Sequence, residues 1–450
     1  MLVRRWLLVL NVTVLATGLV LGMSGARRGF FLAALVPLAL APFSYARLRL
    51  YDTLAPAFGA GRLDRALATA SIGFDVVLLA QLVTARSADA LPVLHGPVVS
   101  WFGPVWFSAH AILFVVYLLA GLARASHRLL DRSWALMTRR ASGSRLAAEP
   151  MPPGAPASPG RREFLRQASM AGAILPFAAS ASGVSTSYDF RVEEREIVVP
   201  GWPRELDGLR VVHLSDIHVG GGMTRERLMR VADLTNGARP DLVAHTGDFL
   251  THRSGDFDAP LYEALARVRA PLGQWACLGN HDYDDPDLLV RRLDDAGVVV
   301  LRNRLTRITV AGKTVELAGA DFMYGPPRQA TYARLVAGWG ARTDAPRLFL
   351  NHDPSAFRDL PDAAASLVLS GHTHGGHVGI QLGPSHALTV VGLLGLPDQG
   401  LFGRGDMRLF VTRCVGFYGY PMRVGIPPEI AVLTLRAPGT TTTGNPVRPA

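Results

Sequence analysis

Five clusters of aspartate, asparagine and histidine recur between residues 214 and 377, and each directly follows a short apolar run. They combine carboxylate and amide oxygens with imidazole nitrogens, a mixture that suits borderline divalent ions such as Mn, Fe, Zn or Co. A carboxylate shared by two ions holds them roughly 3.5–4 Å apart, the separation that two-metal hydrolysis requires. Any one motif is weak, but five in order predict a dinuclear metal site. The clusters are Asp216-Ile217-His218, Gly247-Asp248, Gly279-Asn280-His281-Asp282, Asn351-His352-Asp353-Pro354 and Gly371-His372-Thr373-His374.

The apolar runs that precede these clusters predict buried strands, and helical patterns lie between the early ones. Alternating strands and helices predict an α/β sheet, in which sites collect at the carboxyl ends of the strands. Later β-rich runs predict a second sheet. The predicted first-sheet and site strands are Leu209–Leu214, Leu242–His245, Trp275–Leu278, Leu348–Leu350 and Leu367–Leu369. The predicted helices are Arg225–Asn236, Leu261–Arg269 and Asp287–Ala296, and the later β-runs are Arg307–Val310, Thr314–Ala318, Arg408–Thr412 and Ile430–Leu435.

Taken together, the motifs resemble the calcineurin-like metallophosphoesterase superfamily, whose pattern is D-x-H, G-D, G-N-H-D/E, H and G-H-x-H. The runs Leu214–His218, Asn351–Pro354, Gly371–Gly376 and Gly416–Pro421 are similar to its membrane-associated bacterial branch, typified by YkuE and YaeI. The resemblance covers about Glu205–Arg436. It implies a four-layer α/β/β/α sandwich and an enzyme, a phosphodiesterase or phosphomonoesterase, that hydrolyses a phosphate ester with a metal-bridging hydroxide.

The resemblance also implies a role for each site residue. One metal is held by Asp216, His218 and His374, the other by Asn280, His352 and His372, and Asp248 bridges both. His281 would stabilise charge on the phosphoryl oxygens or protonate the leaving oxygen, with Asp282 orienting it. His377 departs from the pattern, because relatives commonly carry glutamine there.

Other residues and functions compete with this interpretation. His213 and His245 lie inside strand runs and are expected to be core histidines. Arg413 and Arg423 are either phosphate contacts or structural arginines. Cys277 and Cys414 are expected to be buried thiols, with a disulfide between them as the alternative. Two other function classes stay open: a metal-bound sensor or binding domain on a membrane region, and a transporter whose extramembrane domain is regulatory, although Asp75 is the only clear acidic residue within a predicted span.

The first part of the chain predicts a membrane region. Hydrophobic residues make up 49% of the chain, and the mean hydropathy is +0.22. Four apolar stretches within residues 1–123 are each long enough to cross a ~30 Å hydrocarbon core. Arginines cluster before the first, between the second and third, and after the fourth, which predicts a cytoplasmic N-terminus and a multi-pass inner-membrane protein. The spans are approximately Trp6–Met23, Phe30–Ala46, Ala66–Ala85 and Pro104–Ala123.

A basic cytoplasmic segment and a Pro/Ala/Ser-rich linker (residues 124–160) lead to a second apolar signal at residues 161–185. Arg161-Arg162-Glu163-Phe164-Leu165-Arg166 and the apolar run Ala168–Val184 resemble a twin-arginine translocation signal. A basic juxtamembrane helix is the alternative. The signal would form a fifth crossing, engage the twin-arginine translocation machinery and place the phosphoesterase domain (205–436) outside the cytoplasm. The tail from 437 to 450 is predicted to be disordered.

Charge distribution argues against nucleic acid as a partner. The net charge is +10, but residues 1–166 hold 18 arginines against 7 acidic residues, whereas residues 167–450 hold 28 basic and 29 acidic residues. The basic excess therefore belongs to the membrane region. We expect instead a phosphate-ester substrate at the bilayer surface, lipid-linked or envelope-derived, such as a phospholipid, a lipid-linked sugar phosphate or a cell-wall phosphodiester.

Overall fold

The computed structural model describes residues 45–54, 61–62, 65–66, 69, 97–141 and 159–449, except 221, 252–257, 324, 326–327, 341–344, 384–385, 419–420 and 441–446. The chain divides into two compact units, Met1–Ser182 and Gly183–Ala450. The first unit is helical where it is described. It contains a helical stretch at residues 45–54, α1 (Pro97–Ala141) and most of α2 (Pro159–Ser185).

Two helical segments among the described residues are long and apolar enough to cross a membrane. They are Ser108–Trp134, with a mean hydropathy of 1.6, and Gln167–Ser185, with a mean hydropathy of 1.2. The predicted fourth span and the predicted fifth apolar segment lie within α1 and α2. The other three predicted spans lie almost entirely outside the described residues, so the four-helix membrane region stays a prediction. Most of the predicted linker also lies outside them, and its last two residues begin α2.

The second unit is built from mixed α/β sheets, as the alternation of strands and helices predicts. Its first sheet has the order β1-β14-β2-β3-β4-β5, in which β2 to β5 are parallel and β14 runs antiparallel to β2. The strands are β1 (Arg191–Val198), β2 (Leu209–Leu214), β3 (Leu242–His245), β4 (Gln274–Ala276), β5 (Val298–Val300) and β14 (Glu429–Arg436). β1 pairs with β14 along its whole length, so the first sheet of this unit includes residues that precede the predicted domain start at residue 205.

The second sheet has the order β15-β12-β13-β9-β8-β7-β6, with β13, β9, β8 and β7 parallel. Its strands are β6 (Arg304–Val310), β7 (Lys313–Gly319), β8 (Arg347–Leu350), β9 (Leu367–Ser370), β12 (Gly400–Arg404), β13 (Met407–Val411) and β15 (Arg448–Pro449). A separate antiparallel hairpin pairs β10 (Gly379–Gly383) with β11 (His386–Thr389).

Three apolar clusters define the layers. One cluster takes alternate side chains from both sheets, such as Val211, Ala244, Leu317 and Leu369, and therefore lies between the sheets. A second joins the opposite face of the first sheet to its helices, and a third joins the opposite face of the second sheet to Tyr332 and its neighbours. The helices are α3 (Arg225–Gly237), α4 (Ala259–Arg267), α5 (Pro286–Asp295), α6 (Arg328–Trp339) and the one-turn α7 (Val390–Leu393), with 3-10 turns at Arg204–Leu206, Pro354–Asp359 and His374–Gly376.

The end of the chain differs from the predicted disordered tail. Arg448–Pro449 pairs in parallel with Phe402 and Gly403 of β12. The guanidinium of Arg448 donates to Asp398 Oδ1 at 2.9 Å and lies 4.2 Å from the centre of the Phe402 ring. These contacts give the tail an ion pair and a cation–π partner, neither of which its polar composition reveals.

Candidate metal centre

All seven predicted metal ligands follow the carboxyl ends of five parallel strands, and the two sheets bring these ends together. β2 leads to Asp216 and His218, β3 to Asp248 and β4 to Asn280. From the second sheet, β8 leads to His352 and β9 to His372 and His374. Strand order in the two sheets, rather than nearness in sequence, therefore assembles the site.

The ligand atoms form two groups. The first consists of Asp216, His218 and His374, and the second of Asp248, His352 and His372, with the atoms of each group within 4.8 Å of one another. Asn280 belongs with the second group, because its Oδ1 lies 3.0 Å from His352 Nε2. Apart from Asp248, which the resemblance makes common to both metals, these are the partners that the resemblance implies, and their binding of metal stays a prediction.

Asp248 lies between the two groups. Its Oδ2 is 3.5 Å from His218 Nε2 on one side and 3.3 Å from His352 Nε2 on the other. Its Oδ1 accepts a hydrogen bond from the backbone N–H of His281 at 2.8 Å. One carboxylate oxygen is thus held by the chain, while the other faces imidazoles from both groups.

Asp216 shows the same division of labour. Its Oδ2 accepts from the His372 N–H at 2.9 Å, from the Ser215 hydroxyl at 2.5 Å and from the Cys414 thiol at 3.0 Å. Its Oδ1 instead lies 3.2 Å from His374 Nε2. The protein donors hold the carboxylate so that Oδ1 is left for a cation.

His213 begins a hydrogen-bond chain that ends on this carboxylate. His213 Nε2 lies 2.8 Å from Thr246 Oγ1, Thr246 donates to Ser215 Oγ at 2.7 Å, and Ser215 donates to Asp216. His213 is buried between the sheets, as predicted for a core histidine. Through this hydrogen-bond chain His213 also helps to hold Asp216 in place, a role that the strand pattern alone does not reveal.

The backbone at the site is strained. Asp216, His218, Asp248, His372 and His374 have φ angles of 54°, 52°, 53°, 67° and 51°, in the left-handed region that non-glycine residues rarely occupy. Each such residue costs on the order of 1–3 kcal/mol, so the surrounding structure must enforce it. Glycines permit the close packing: a Cβ on Gly371 would lie 2.3 Å from Asp216 Oδ2, and one on Gly279 would lie 2.1 Å from Asp248 Oδ1.

Hydrogen bonds also orient the imidazoles. His352 Nδ1 lies 2.7 Å from the Thr246 carbonyl, which leaves Nε2 pointing to Asp248. His374 Nδ1 lies 3.3 Å from the Gly416 carbonyl, which directs its Nε2 to Asp216. When one ring nitrogen of a histidine donates to a carbonyl, its proton is fixed there, and the other nitrogen is left free to bind a metal.

The charges of the site are strongly coupled. Burial, together with nearby His374, lowers the pKa of His218 to about 3, so this imidazole is neutral. Burial also disfavours a charged His352, but the carboxylates of Asp248 and Asp216 outweigh it and raise its pKa to about 10. Burial opposes the ionisation of Asp216, but His374 and His352 hold its pKa well below its usual value. The carboxylates beside His352 therefore favour positive charge at this point, which a bound cation would supply.

His281 lies beside the ligands but outside both groups. Its ring centre is 5.2 Å from that of His218 and 4.3 Å from that of Tyr418, whose side chain is 52% exposed. Tyr418 and Phe322 were not predicted as site residues. The Phe322 ring lies 5.8 Å from His352 and 5.9 Å from His372. Both aromatic side chains come from loops remote in sequence, so motif spacing carries no signal for them.

Asp282 does not orient His281 in the way that the resemblance implies. Its Oδ2 accepts from the N–H groups of Asp248 and Gly279, both at 2.8 Å, and its Oδ1 accepts from Phe249 at 3.0 Å and Leu250 at 3.3 Å. Burial and the charge of Asp248 raise the pKa of Asp282 to about 7. Because the carboxyl is buried beneath the loop, it braces the backbone that carries Asp248.

Arg413 and Arg423, which the sequence leaves as either phosphate contacts or structural arginines, make contacts typical of structural arginines. Arg423 is fully buried and donates to the carbonyl of His374 at 3.2 Å and to that of Gly416. Arg413 pairs with Glu429 at 3.2 Å and Glu193 at 2.9 Å.

His377 lies next to His374, with its Nδ1 3.2 Å from the Met422 carbonyl. Cys277 and Cys414 are buried free thiols, so the alternative of a disulfide is wrong.

The residues present fit divalent cations. Both ring nitrogens of His218 and Oδ1 of Asp216 are buried without a hydrogen-bond partner among the described residues. Buried polar atoms rarely remain unpaired, and each costs about 1–3 kcal/mol when they do. A cation would satisfy His218 Nε2 and Asp216 Oδ1 together, and mixed nitrogen and oxygen donors suit Mn, Fe, Zn or Co.

Comparison with known proteins agrees with the site. Residues 209–376 match a family model described as calcineurin-like phosphoesterase. The chain is 31% identical over 296 residues to the metallophosphoesterase YkuE of Bacillus subtilis (strain 168), an alignment that covers 62% of this chain and 98% of that protein. It is 29% identical to a transmembrane protein with metallophosphoesterase domain from Danio rerio, covering 77% of this chain and 78% of that protein. It is also 29% identical to phosphodiesterase YaeI of Escherichia coli (strain K12), an alignment that covers 50% of this chain and 82% of that protein.

Proposed function

The chain belongs to the calcineurin-like metallophosphoesterase family and hydrolyses phosphoric ester bonds, and we propose that it does so as a phosphodiesterase with two divalent ions side by side. The position of Asp248 Oδ2, 3.5 Å from His218 Nε2 and 3.3 Å from His352 Nε2, carries this proposal. Asp216, His218 and His374 would hold one ion. Asn280, His352 and His372 would hold the other, and Asp248 would be common to both.

When bound, two ions would supply a water-derived nucleophile at neutral pH and neutralise the charge of the phosphate. The chain contributes positioning. The Asp282 carboxylate accepts from the backbone N–H groups of Asp248 and Gly279 and so fixes both loops, and the Thr246 carbonyl fixes His352. Because these groups are already ordered before substrate binds, the reaction requires little reorganisation of the protein.

We propose that His281 acts on the substrate without binding metal. Its ring lies beside His218 and is partly exposed, so it can reach a phosphoryl or leaving-group oxygen. We expect His281→Ala to lower kcat for bis-p-nitrophenyl phosphate about 10²-fold, the lower end of the usual contribution of a general acid. The metal content, measured on the same preparation, should stay unchanged. A matched loss of metal would instead make His281 a ligand.

The competing function is a metal-bound sensor or binding domain. It requires the same ligands but no turnover. Purified protein assayed with Mn²⁺ on bis-p-nitrophenyl phosphate and p-nitrophenyl phosphate separates the two functions. We expect hydrolysis that chelation abolishes and Mn²⁺ restores. Metal binding without cleavage of either ester would favour the sensor.

Membrane anchoring is supported by the two apolar helices and by relatives whose names describe transmembrane proteins. We propose a multi-pass protein with a cytoplasmic N-terminus and an extracytoplasmic catalytic domain. Arginines cluster before the first predicted span, between the second and third, and after the fourth, and such loops stay in the cytoplasm. The paired Arg161 and Arg162 would direct export by twin-arginine translocation. The substrate would be a lipid-linked or envelope-derived phosphate ester.

Protease added to intact spheroplasts tests this orientation. We expect digestion of the C-terminal domain in the wild type and protection in the R161K/R162K double variant. A cytoplasmic marker protein should stay intact in both samples, and detergent lysis should expose the domain in both. Protection of the wild-type domain in intact spheroplasts would place the enzyme in the cytoplasm.

A further inference from the structure

One segment of the second unit (Gly183–Ala450), called the catalytic unit below, exposes an unusual number of apolar side chains. From Gly183 onward, ten large hydrophobic residues among those described are exposed, and seven of them lie in residues 380–396. We call residues 379–396, which comprise β10, β11 and α7, the apolar hairpin. Leu382, Leu393 and Leu394 are 62%, 72% and 73% exposed. Single exposed leucines are ordinary, but a cluster of this kind marks an interaction surface.

Apolar and polar side chains alternate along the hairpin, but they face the opposite sides from those expected for a hairpin exposed to water. Ile380 and Leu388 are cross-strand partners, and both are exposed, whereas Ala387 and Thr389 of the same strand are buried. A hairpin on a water-soluble domain turns its apolar face inward and its polar face outward. The small and polar side chains here face the protein, and the apolar ones face outward.

The hairpin also lacks charge. The twenty residues from Val378 to Pro397 include no Asp, Glu, Lys or Arg, and His386 is their only ionisable side chain. Protein–protein interfaces surround their apolar centre with a polar, solvent-accessible rim. A charge-free apolar surface is better matched to lipid, where a charged group would resist burial.

The base of the hairpin is fixed to the loop that carries two predicted metal ligands. Thr373, between His372 and His374, donates through its hydroxyl to the Asp398 carbonyl at 2.7 Å. Thr389, at the end of β11, donates to Asp398 Oδ2 at 2.7 Å. Gly376 packs so closely on this base that a Cβ there would lie 2.9 Å from Thr389 Cβ. The hairpin therefore holds a defined position relative to the metal centre.

The chain also enters the catalytic unit next to the hairpin. The apolar segment Gln167–Ser185 leads into this unit, which begins at Gly183. Arg423 N–H donates to the Gly183 carbonyl at 3.0 Å, and Gly379 N–H, at the start of β10, donates to the Val424 carbonyl at 3.0 Å. One adjacent residue pair, 423 and 424, thus connects the end of the apolar helix to the start of the hairpin.

We propose that the apolar hairpin docks into the interfacial layer of the bilayer that anchors this chain and holds the metal centre at headgroup level. The chain enters the unit beside the hairpin, and exposed leucines partition into the acyl boundary of a bilayer. The substrate class follows, and this part rests on the proposed function: a phosphate ester in the headgroup of a membrane amphiphile. Docking itself requires no turnover.

A fluorescence experiment on the full chain in lipid nanodiscs tests the docking separately from catalysis. Leu393→Cys is labelled with a nitrobenzoxadiazole dye, and Thr314→Cys, an exposed position on β7, serves as the matched control. Cys277 and Cys414 are fully buried, so the folded protein should take the dye only at the introduced position. Lipids carrying a nitroxide high in the acyl chain then act as the quencher. Because Leu393 is exposed, we expect each variant to keep the wild-type thermal midpoint.

Docking predicts at least twofold stronger quenching at position 393 than at position 314, with blue-shifted emission at position 393. Equal, weak quenching at both positions would overturn the proposal. Blue-shifted emission at position 393 without nitroxide quenching would also overturn it, because a second copy or another protein would then cover the hairpin. Hydrolysis of bis-p-nitrophenyl phosphate, measured on the same nanodiscs, reports on the proposed function independently of either result.

Discussion

The Asp248→Asn variant is expected to hydrolyse bis-p-nitrophenyl phosphate on the order of 10³-fold more slowly than the wild type, a loss typical of removing one preorganised electrostatic contact. Asparagine keeps the shape of the side chain, and its oxygen can still accept from the His281 N–H. It places a neutral amide nitrogen where Oδ2 lies 3.5 Å from His218 and 3.3 Å from His352. Metal analysis of the purified variant should find fewer than two ions per chain.

Asp233→Asn is a matched control, because Asp233 forms a solvent-exposed pair with Arg267 at 3.6 Å, far from the strand ends that carry the site. Exposed pairs of this kind contribute about 0–1 kcal/mol, so activity and metal content should stay at the wild-type level. Full activity of Asp248→Asn with both ions still bound would remove the bridging role. No activity in the wild type, with metal bound, would point to a sensor.

Gly371→Ala is expected to have the second largest effect, although it adds a single methyl group. The new Cβ would lie 2.0 Å from Ser215 Oγ and 2.3 Å from Asp216 Oδ2. Relief of this overlap requires Asp216 or the His372 backbone to move, which breaks the hydrogen bond between them. We expect hydrolysis to fall by about 10²-fold, as misplacement of about 1 Å does in other enzymes. Overpacking should also lower the free energy of unfolding by about 1–3 kcal/mol.

Gly338→Ala provides the control for the same chemical change. Gly338 lies within α6, and a Cβ there would meet nothing within 4 Å. Alanine in a helix interior stabilises it by about 0.5–1 kcal/mol relative to glycine, so the thermal midpoint should rise slightly and activity should not change. Wild-type kinetics for Gly371→Ala would show that the loop adapts and that its close packing is not required.

These predictions connect backbone strain to chemistry. Five of the predicted ligands have positive φ, and the glycines beside them allow carboxylates and backbone to approach within hydrogen-bond distance. Such strain persists only where surrounding contacts over-determine it. In this site, Asp282 provides four of those contacts, which explains why a buried carboxyl lies beneath a cluster that already contains two others.

The sequence by itself was sufficient to predict the mixed α/β fold, the family and the group of residues that meet at the site. Each ligand motif follows a short, mainly apolar run, and such runs form parallel strands whose carboxyl ends lie on one edge. Local pattern therefore determines which end of each strand carries polar groups. That rule does not depend on the order of the strands, so it holds for His352 and His372 in the second sheet as well.

Only the tertiary structure decided how those residues share their contacts. Whether Asp248 faces both groups, and whether Asp282 holds a backbone loop instead of His281, depends on distances between segments dozens of residues apart. The same limit applies to the pairing of Arg448 with β12, to the placement of Phe322 and Tyr418, and to the outward apolar face of residues 379–396. Periodicity indicates that one face of a strand is apolar, but only the packing of the neighbouring elements determines whether that face lies against protein or is left exposed.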